Sequence, residues 1–143
     1  NFKPYFYQQE VAEAILNGNN VILQAPTGAG KTLSSIMPFI IANEENFNFP
    51  NKLIYSTPRR TLVNSLYEDI SEEIENGKFN NDFNVTIQTG ERKEDKYFNG
   101  DLVFTTFDQS LSSALSMPIS LSNRWPLVLI NSCRSEGLQE VQT

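Results

Sequence analysis

The chain alternates short apolar runs with longer stretches in which apolar residues recur every three or four positions. The apolar runs predict five strands, at residues 21–23, 53–56, 85–88, 102–105 and 127–130, and the first is expected to be buried. The longer stretches predict four helices, at residues 8–16, 31–43, 61–76 and 107–115, whereas residues 117–125 are predicted to be irregular. Strands alternating with helices predict right-handed crossovers and a mainly parallel sheet with helices on both faces.

Two helices carry additional local signals. The helix at residues 61–76 has one apolar and one acidic face, and Gly77 follows its end as a cap. The helix at residues 31–43 contains Pro38, which removes a backbone donor and predicts a kink. Sheets of this class bind ligands at the carboxyl ends of their strands, so the chemistry is expected in the turns that follow strands.

The length of 143 residues fits one compact domain. We expect residues 1–124 to form it, with residues 125–143 contributing a final strand and an atypical or truncated tail. No apolar stretch approaches the roughly 20 residues that span a bilayer. The N-terminus also lacks the pattern of an export signal, and we expect a cytoplasmic protein without membrane contact.

The composition excludes several kinds of site. Cys133 is the only cysteine and there is no histidine, which rules out an internal disulfide, a zinc finger and histidine-based acid–base catalysis within this chain. The net charge of −6 argues against a surface that attracts nucleic acid everywhere. Any such contact is therefore local, with Arg59 and Arg60 favoured over Arg92 and Lys93, which are expected to be solvated surface charges.

Candidate chemistry begins with a glycine-rich segment, residues 25–32, which reads A-P-T-G-A-G-K-T between a predicted strand and a predicted helix. That context and spacing are those of a P-loop. The backbone N–H groups of Thr27, Gly28, Ala29 and Gly30 are expected to cradle phosphate oxygens at the positive end of the helix.

Two side chains complete the predicted ATP site. Lys31 is expected to neutralise the β- and γ-phosphates, and the Thr32 hydroxyl is expected to bind Mg²⁺. These are also the predicted catalytic residues. The alternative is a chance glycine turn, since the strict pattern begins with glycine and this one begins with Ala25.

In this form the loop resembles motif I of the superfamily-two helicases, which include the DEAD-box proteins. The resemblance implies a RecA-like P-loop lobe with three layers. Gln8 then matches the glutamine that many of these helicases place ahead of the loop, where its amide pairs with adenine. Tyr5, Phe6 or Tyr7 would pack near the base. The alternative is that Gln8 is an exposed polar residue at the start of a helix.

Three further segments match positions where the family contacts nucleic acid. They are residues 57–63, which contain Pro58, Arg59 and Arg60; the turn with Thr89 and Gly90; and residues 105–109, which contain Thr105 and Thr106. An arginine and N–H groups at a helix N-terminus form an anion site that reads no bases. Arg60 is the preferred contact, and single-stranded nucleic acid is the implied partner.

A narrower resemblance rests on T-T-F-D-Q at residues 105–109 and S-L-S-N-R at residues 120–124. Together they are similar to the CRISPR-associated helicase of type I interference systems, and the likeness extends over residues 5–124. It implies a full-length protein that moves along single-stranded DNA using ATP, beside a metal-dependent nuclease and bound to an RNA-guided surveillance complex. This chain, without histidine, shows no such nuclease.

The acidic pair expected after the last strand is missing. The family has an Asp-Glu pair there, whereas this chain has Asn131, Ser132, Cys133 and Arg134. Two explanations stay open, a degenerate motif or a fragment that ends before the second helicase lobe, and the fragment is favoured. Either way the chain alone is expected to bind ATP weakly and to hydrolyse it far more slowly than an intact motor.

Three other functions remain open at this stage. A generic DEAD-box-like RNA or DNA helicase lobe would fit the same motifs. A small-molecule kinase would use the same loop with an acceptor pocket instead of a nucleic-acid track. A non-catalytic adaptor would retain the lobe as a docking surface, and the missing acidic pair keeps this alternative open.

Overall fold

The computed structural model describes residues 5–77, 79, 83–92, 94, 98–116 and 127–130. Within these ranges the chain forms four helices and four strands. In chain order they are α1 (Phe6–Leu16), α2 (Lys31–Glu44), β1 (Leu53–Thr57), α3 (Arg60–Glu75), β2 (Val85–Gln88), β3 (Leu102–Thr106), α4 (Phe107–Ser116) and β4 (Leu127–Ile130). The four predicted helices and four of the five predicted strands are confirmed, with ends that differ by two residues at most.

The strands form one parallel sheet in the order β2-β3-β1-β4. Leu53 at the start of β1 aligns with Leu102 of β3 on one side and Leu127 of β4 on the other. Val85 of β2 aligns with the same Leu102. Parallel neighbours require crossover connections. The helix α3 lies between β1 and β2 along the chain and α4 lies between β3 and β4, whereas no described helix lies between β2 and β3. The sheet confirms the predicted α/β class with a RecA-like arrangement.

The two faces of the sheet are covered by different helices. One face presents Leu53 and Tyr55 of β1 with Leu102 and Phe104 of β3, and these pack in the main core with apolar residues of α1, α2 and α3. Residues that alternate with them point to the other face. There the Ser56 hydroxyl lies 3.1 Å from that of Ser110 on α4. Helices on both faces are thereby confirmed.

The first predicted strand, at residues 21–23, does not form. These residues belong to none of the four described strands, and the Ile22 side chain is 99% exposed. Leu23 is half-buried against the core. An apolar run becomes a strand only where a neighbouring strand supplies hydrogen-bond partners, and periodicity does not report that neighbour. The prediction of a buried strand here was wrong.

Some predictions fall on residues outside the described ranges. They concern the irregular stretch at residues 117–125, the motif at residues 120–124, the segment from Asn131 to Arg134, and Lys93.

Among the described residues, no helix is both long and apolar enough to cross a bilayer. The predicted helix around Pro38 is confirmed, since α2 runs through that buried residue.

Candidate nucleotide and nucleic-acid sites

The glycine-rich loop leads directly into α2, as its sequence predicts. Gly28 and Gly30 have φ angles of +80° and +81°, a left-handed conformation that disfavours residues with a Cβ. Ala29 N–H donates to Pro26 O at 3.3 Å and closes the turn. Gly30 is the N-cap residue of α2, so the loop amides lie at the positive end of that helix. The left-handed glycines and the place at a helix N-terminus agree with the predicted anion-binding loop, whereas the Ala29 N–H, one of the four predicted phosphate donors, is hydrogen-bonded within the loop.

The Lys31 ammonium lies across the loop. Its Nζ donates to Ala25 O and to Pro26 O, both at 2.7 Å. These two carbonyl oxygens therefore accept from the Lys31 N–H groups that would donate to a bound triphosphate. A bound nucleotide would therefore exchange these contacts for phosphate oxygens, which are charged and stronger acceptors.

The first turn of α1 packs on the same loop. Gln8 is buried, at 8% exposure, and its Oε1 accepts from Tyr5 N–H at 2.9 Å. The Gln8 amide lies so close that a Cβ on Gly30 would be 2.9 Å from its Nε2. The Tyr7 hydroxyl also donates to Ala29 O. The alternative that Gln8 is an exposed polar residue is thus wrong about exposure, but Gln8 does lie at the start of α1, where its side chain caps the helix. Its pairing with adenine stays a prediction, and Tyr7 is an aromatic residue that contacts the loop.

A groove of about 560 Å³ opens between the first turn of α2 and the second half of α3. Thr32, the predicted metal ligand, lines it. The α3 side chains that line it include three carboxylates: Asp69, Glu72 and Glu73. In the part of the chain that the structure describes, no group of three or more Asp, Glu or Cys residues is arranged to hold a metal ion. The Mg²⁺ role of Thr32 remains a prediction.

The predicted nucleic-acid segments meet at one edge of the sheet. Because the strands are parallel, their carboxyl ends lie together, with Thr57 aligned to Thr106 and Gln88 aligned to Thr105. The segments that follow β1 and β2 are therefore neighbours in space although about thirty residues separate them. Sequence order alone predicts this edge but not the contacts within it.

Arg60 makes the contact that joins two of these segments. Its Nη1 donates to Glu91 Oε1 at 2.7 Å, and the two side chains are 56% and 73% exposed. A Cβ on Gly90 would lie 3.3 Å from Arg60 Nη2, so the guanidinium rests on the backbone of that turn. Pro58 and Arg59 are exposed beside it. Glu91 follows Thr89 and Gly90 in the turn that resembles the family's glycine-containing turn, but it was not among the predicted nucleic-acid contacts.

Thr89 shapes the turn from inside. It is buried, its N–H donates to Arg92 O at 2.7 Å, and its Oγ1 accepts from Arg92 N–H at 3.0 Å. The hydroxyl is therefore engaged within the protein. A sequence motif marks Thr89 as part of the site but does not distinguish a ligand contact from a residue that holds the turn.

Thr105 and Thr106 also lie below the surface. Their exposures are 0% and 5%, and the Thr105 hydroxyl donates to Thr106 O at 3.3 Å. Small β-branched residues at the end of a central strand pack well between flanking helices, which explains this burial. Two polar contacts connect the strand ends to α4, namely Ser56 with Ser110 and Gln88 Nε2 with Gln109 Oε1 at 3.4 Å. These threonines fit a supporting role better than direct contact.

Comparison with known proteins gives a family match. Residues 5–128 match the sequence model of the DEAD/DEAH box helicase family. The chain is 33% identical over 70 residues to "Probable ATP-dependent RNA helicase YfmL" of Bacillus subtilis, covering 49% of this chain and 18% of that protein. It is 35% identical over 71 residues to "ATP-dependent DNA helicase Hel308" of Thermoplasma volcanium, covering 50% and 10%. The chain thus spans less than a fifth of either relative's length.

A more distant likeness comes from a solved structure. It is a nuclease-deletion mutant of the Type ISP restriction-modification enzyme LlaGI in complex with a DNA substrate mimic. The TM-score is 0.49 at 18% sequence identity, over 82% of this chain and 14% of that one. A likeness at this level bears on neither mechanism nor substrate.

Proposed function

Since the chain belongs to the DEAD/DEAH box helicase family, we propose that it is the ATP-binding lobe of a motor that moves along single-stranded nucleic acid. The observation that carries this proposal is the loop at residues 25–32. Its two left-handed glycines and its place at the positive end of α2 support phosphate binding by the loop amides. Gln8, buried against the same loop, supplies an amide with which an adenine edge can pair.

ATP and Mg²⁺ are the proposed ligands of this site. Lys31 would neutralise the outer phosphates once it leaves the Ala25 and Pro26 carbonyls, and Thr32 would bind the metal. In that role hydrolysis of ATP would supply the energy of the motor, and Mg²⁺ would neutralise charge on the phosphates. Asn131 and Ser132 stand where the family has its acidic pair, and neither side chain can act as a base near neutral pH, so we expect slow turnover by the chain alone.

The edge formed by Pro58, Arg59, Arg60 and Gly90 is the proposed nucleic-acid track. Arg60 is exposed at the carboxyl edge of the sheet and can offer parallel donors to phosphate oxygens. Backbone N–H groups at the start of α3 add to the same anion site. Thr89, Thr105 and Thr106 would support these contacts from below. Such a site holds a strand without reading its bases.

The narrower proposal is that the lobe belongs to the CRISPR-associated DNA helicase of type I systems. It rests on the likeness of residues 105–109 and 120–124. It predicts a preference for single-stranded DNA over RNA, a second helicase lobe and recruitment to an RNA-guided complex. Equal affinity for DNA and RNA oligonucleotides of the same sequence would instead favour a generic helicase lobe. The family match argues against the small-molecule kinase.

Nucleotide binding is the decisive experiment. Calorimetry with a non-hydrolysable ATP analogue and Mg²⁺ should detect binding that Lys31→Ala weakens about 10- to 100-fold, because hydrogen bonds to charged groups contribute roughly 1.5–3 kcal/mol. Lys52→Ala is the matched control. It removes the same charge at the amino end of β1, where Lys52 donates to Phe98 O away from the loop.

Two results would contradict the proposal. One is an absence of binding by the unchanged chain, which would favour the adaptor. The other is an equal loss of affinity in Lys31→Ala and Lys52→Ala, which would place the nucleotide elsewhere. Thermal unfolding of both variants distinguishes a loss of binding from a loss of fold.

A further inference from the structure

The Glu91 carboxylate is hydrogen-bonded to Arg60, the arginine that the proposed function assigns to nucleic acid. Arg60 Nη1 donates to Glu91 Oε1 at 2.7 Å, although both side chains face solvent. A strand phosphate offers a guanidinium the same kind of charged oxygen acceptors that a carboxylate offers. One of the guanidinium nitrogens that would bind the strand is therefore already paired with a carboxylate.

The turn that carries Glu91 is held firmly at its base. Two hydrogen bonds connect Thr89 to Arg92, at 2.7 and 3.0 Å, and Thr89 is buried. The Arg92 guanidinium lies 5.0 Å from the centre of the Tyr67 ring and bonds Glu94 at 2.8 Å. Glu91 consequently sits at the tip of a fixed turn and loses less conformational freedom in the ion pair than a mobile side chain would.

The Arg60 guanidinium also lies close to Gly90, the residue before Glu91. A Cβ at this position would lie 3.3 Å from Arg60 Nη2 and 3.6 Å from Cζ, so the guanidinium lies close beside the backbone of the turn. The arginine thus has the turn backbone on one side and the Glu91 carboxylate at its Nη1. An exposed ion pair by itself contributes little, and here the close approach to the Gly90 backbone adds a second contact to it.

We propose that Glu91 is an internal competitor of the nucleic-acid strand. Its carboxylate takes the place of a phosphate on Arg60 in the unbound chain and has to leave when a strand binds. The inference rests on the proposed nucleic-acid track. Glu91 therefore lowers the affinity of the chain for a nucleic-acid strand of any sequence. Breaking the ion pair between Glu91 and Arg60 raises that affinity.

The test compares two glutamates that carry the same charge. Glu91→Gln frees Arg60, whereas Glu94→Gln removes an equal charge from a neighbouring residue whose partner is Arg92. Affinity is measured by fluorescence anisotropy with a labelled oligothymidylate at low ionic strength, where phosphate contacts are strongest. We expect Glu91→Gln to lower the Kd about two- to fivefold, the range for a single exposed ion pair, and to exceed Glu94→Gln clearly.

A double-mutant cycle identifies the mechanism. In an Arg60→Ala background, Glu91→Gln should give no more than Glu94→Gln gives, because the arginine that Glu91 blocks is gone. Equal gains from both glutamines, a gain that persists without Arg60, or weaker binding by Glu91→Gln would each overturn the competition. These results would leave the track itself intact. If no variant binds, or if Arg60→Ala binds as well as the unchanged chain, the proposed nucleic-acid track fails instead.

Discussion

Gly28 and Gly30 share a left-handed backbone conformation, but only Gly30 lies against another side chain. Their φ angles are +80° and +81°, whereas a Cβ would meet nothing within 4 Å at Gly28 and would come within 2.9 Å of Gln8 Nε2 at Gly30. Replacing each glycine by alanine therefore separates the cost of the backbone conformation from the cost of the Gln8 contact.

The expected losses of stability follow from these two terms. Alanine in the left-handed region costs about 1–2 kcal/mol, and both variants pay this. Gly30→Ala also displaces the Gln8 amide, whose Oε1 accepts from Tyr5 N–H, and losing that hydrogen bond adds about 0.5–1.5 kcal/mol. The change that alanine makes to the unfolded chain is the same at both positions and cancels in the comparison. Gly30→Ala should thus be the less stable variant by about 1 kcal/mol.

Urea unfolding followed by circular dichroism measures the difference. Gly18→Ala serves as an outside control, because Gly18 has a φ of +77° with nothing within 4 Å and lies beyond the loop. It should match Gly28→Ala. In a Gln8→Ala background the extra loss at Gly30 should disappear. Equal losses at Gly28 and Gly30, or an extra loss that survives without Gln8, would refute the contact between α1 and the loop.

Two other predictions test burial. Ile22→Ser should change the free energy of unfolding in urea by less than about 0.5 kcal/mol, because the side chain is 99% exposed. Ile36→Ala, at a position with 0% exposure, should lower it by about 2–5 kcal/mol. A loss of several kcal/mol at Ile22 would instead show that residues 21–23 are buried. Thr105→Val removes a hydroxyl from a fully buried side chain and keeps its shape. The Kd for a single strand in the anisotropy assay should therefore stay within about twofold of that of the unchanged chain, whereas a tenfold rise would indicate that the Thr105 hydroxyl contacts the strand directly.

Local features of the molecule were predictable because their causes lie within a few residues. The apolar face of α3 follows from spacing along the chain, and Gly77 was expected as its cap. The left-handed turns at Gly28 and Gly30 follow from the absence of a Cβ. The position of the glycine-rich loop at the start of α2 was therefore predictable without knowledge of the fold.

The contacts inside the candidate sites were not predictable in this way. Arg60 meets Glu91, and Gln8 meets Gly30, only because separate elements are packed together. The burial of Thr105 likewise depends on the elements around β3. Motif matching places such residues at an edge of the sheet but does not show which of them face solvent.

The amino-acid sequence by itself determined where helices begin, which turns need glycine, and the parallel α/β class with its P-loop. Only the tertiary structure decided that residues 21–23 stay outside the sheet and that Glu91 faces Arg60. The physical reason is the range of the interactions. Helical hydrogen bonds and glycine turns close within about four residues, whereas strand pairing, burial and ion pairs require partners that the chain brings near only by folding.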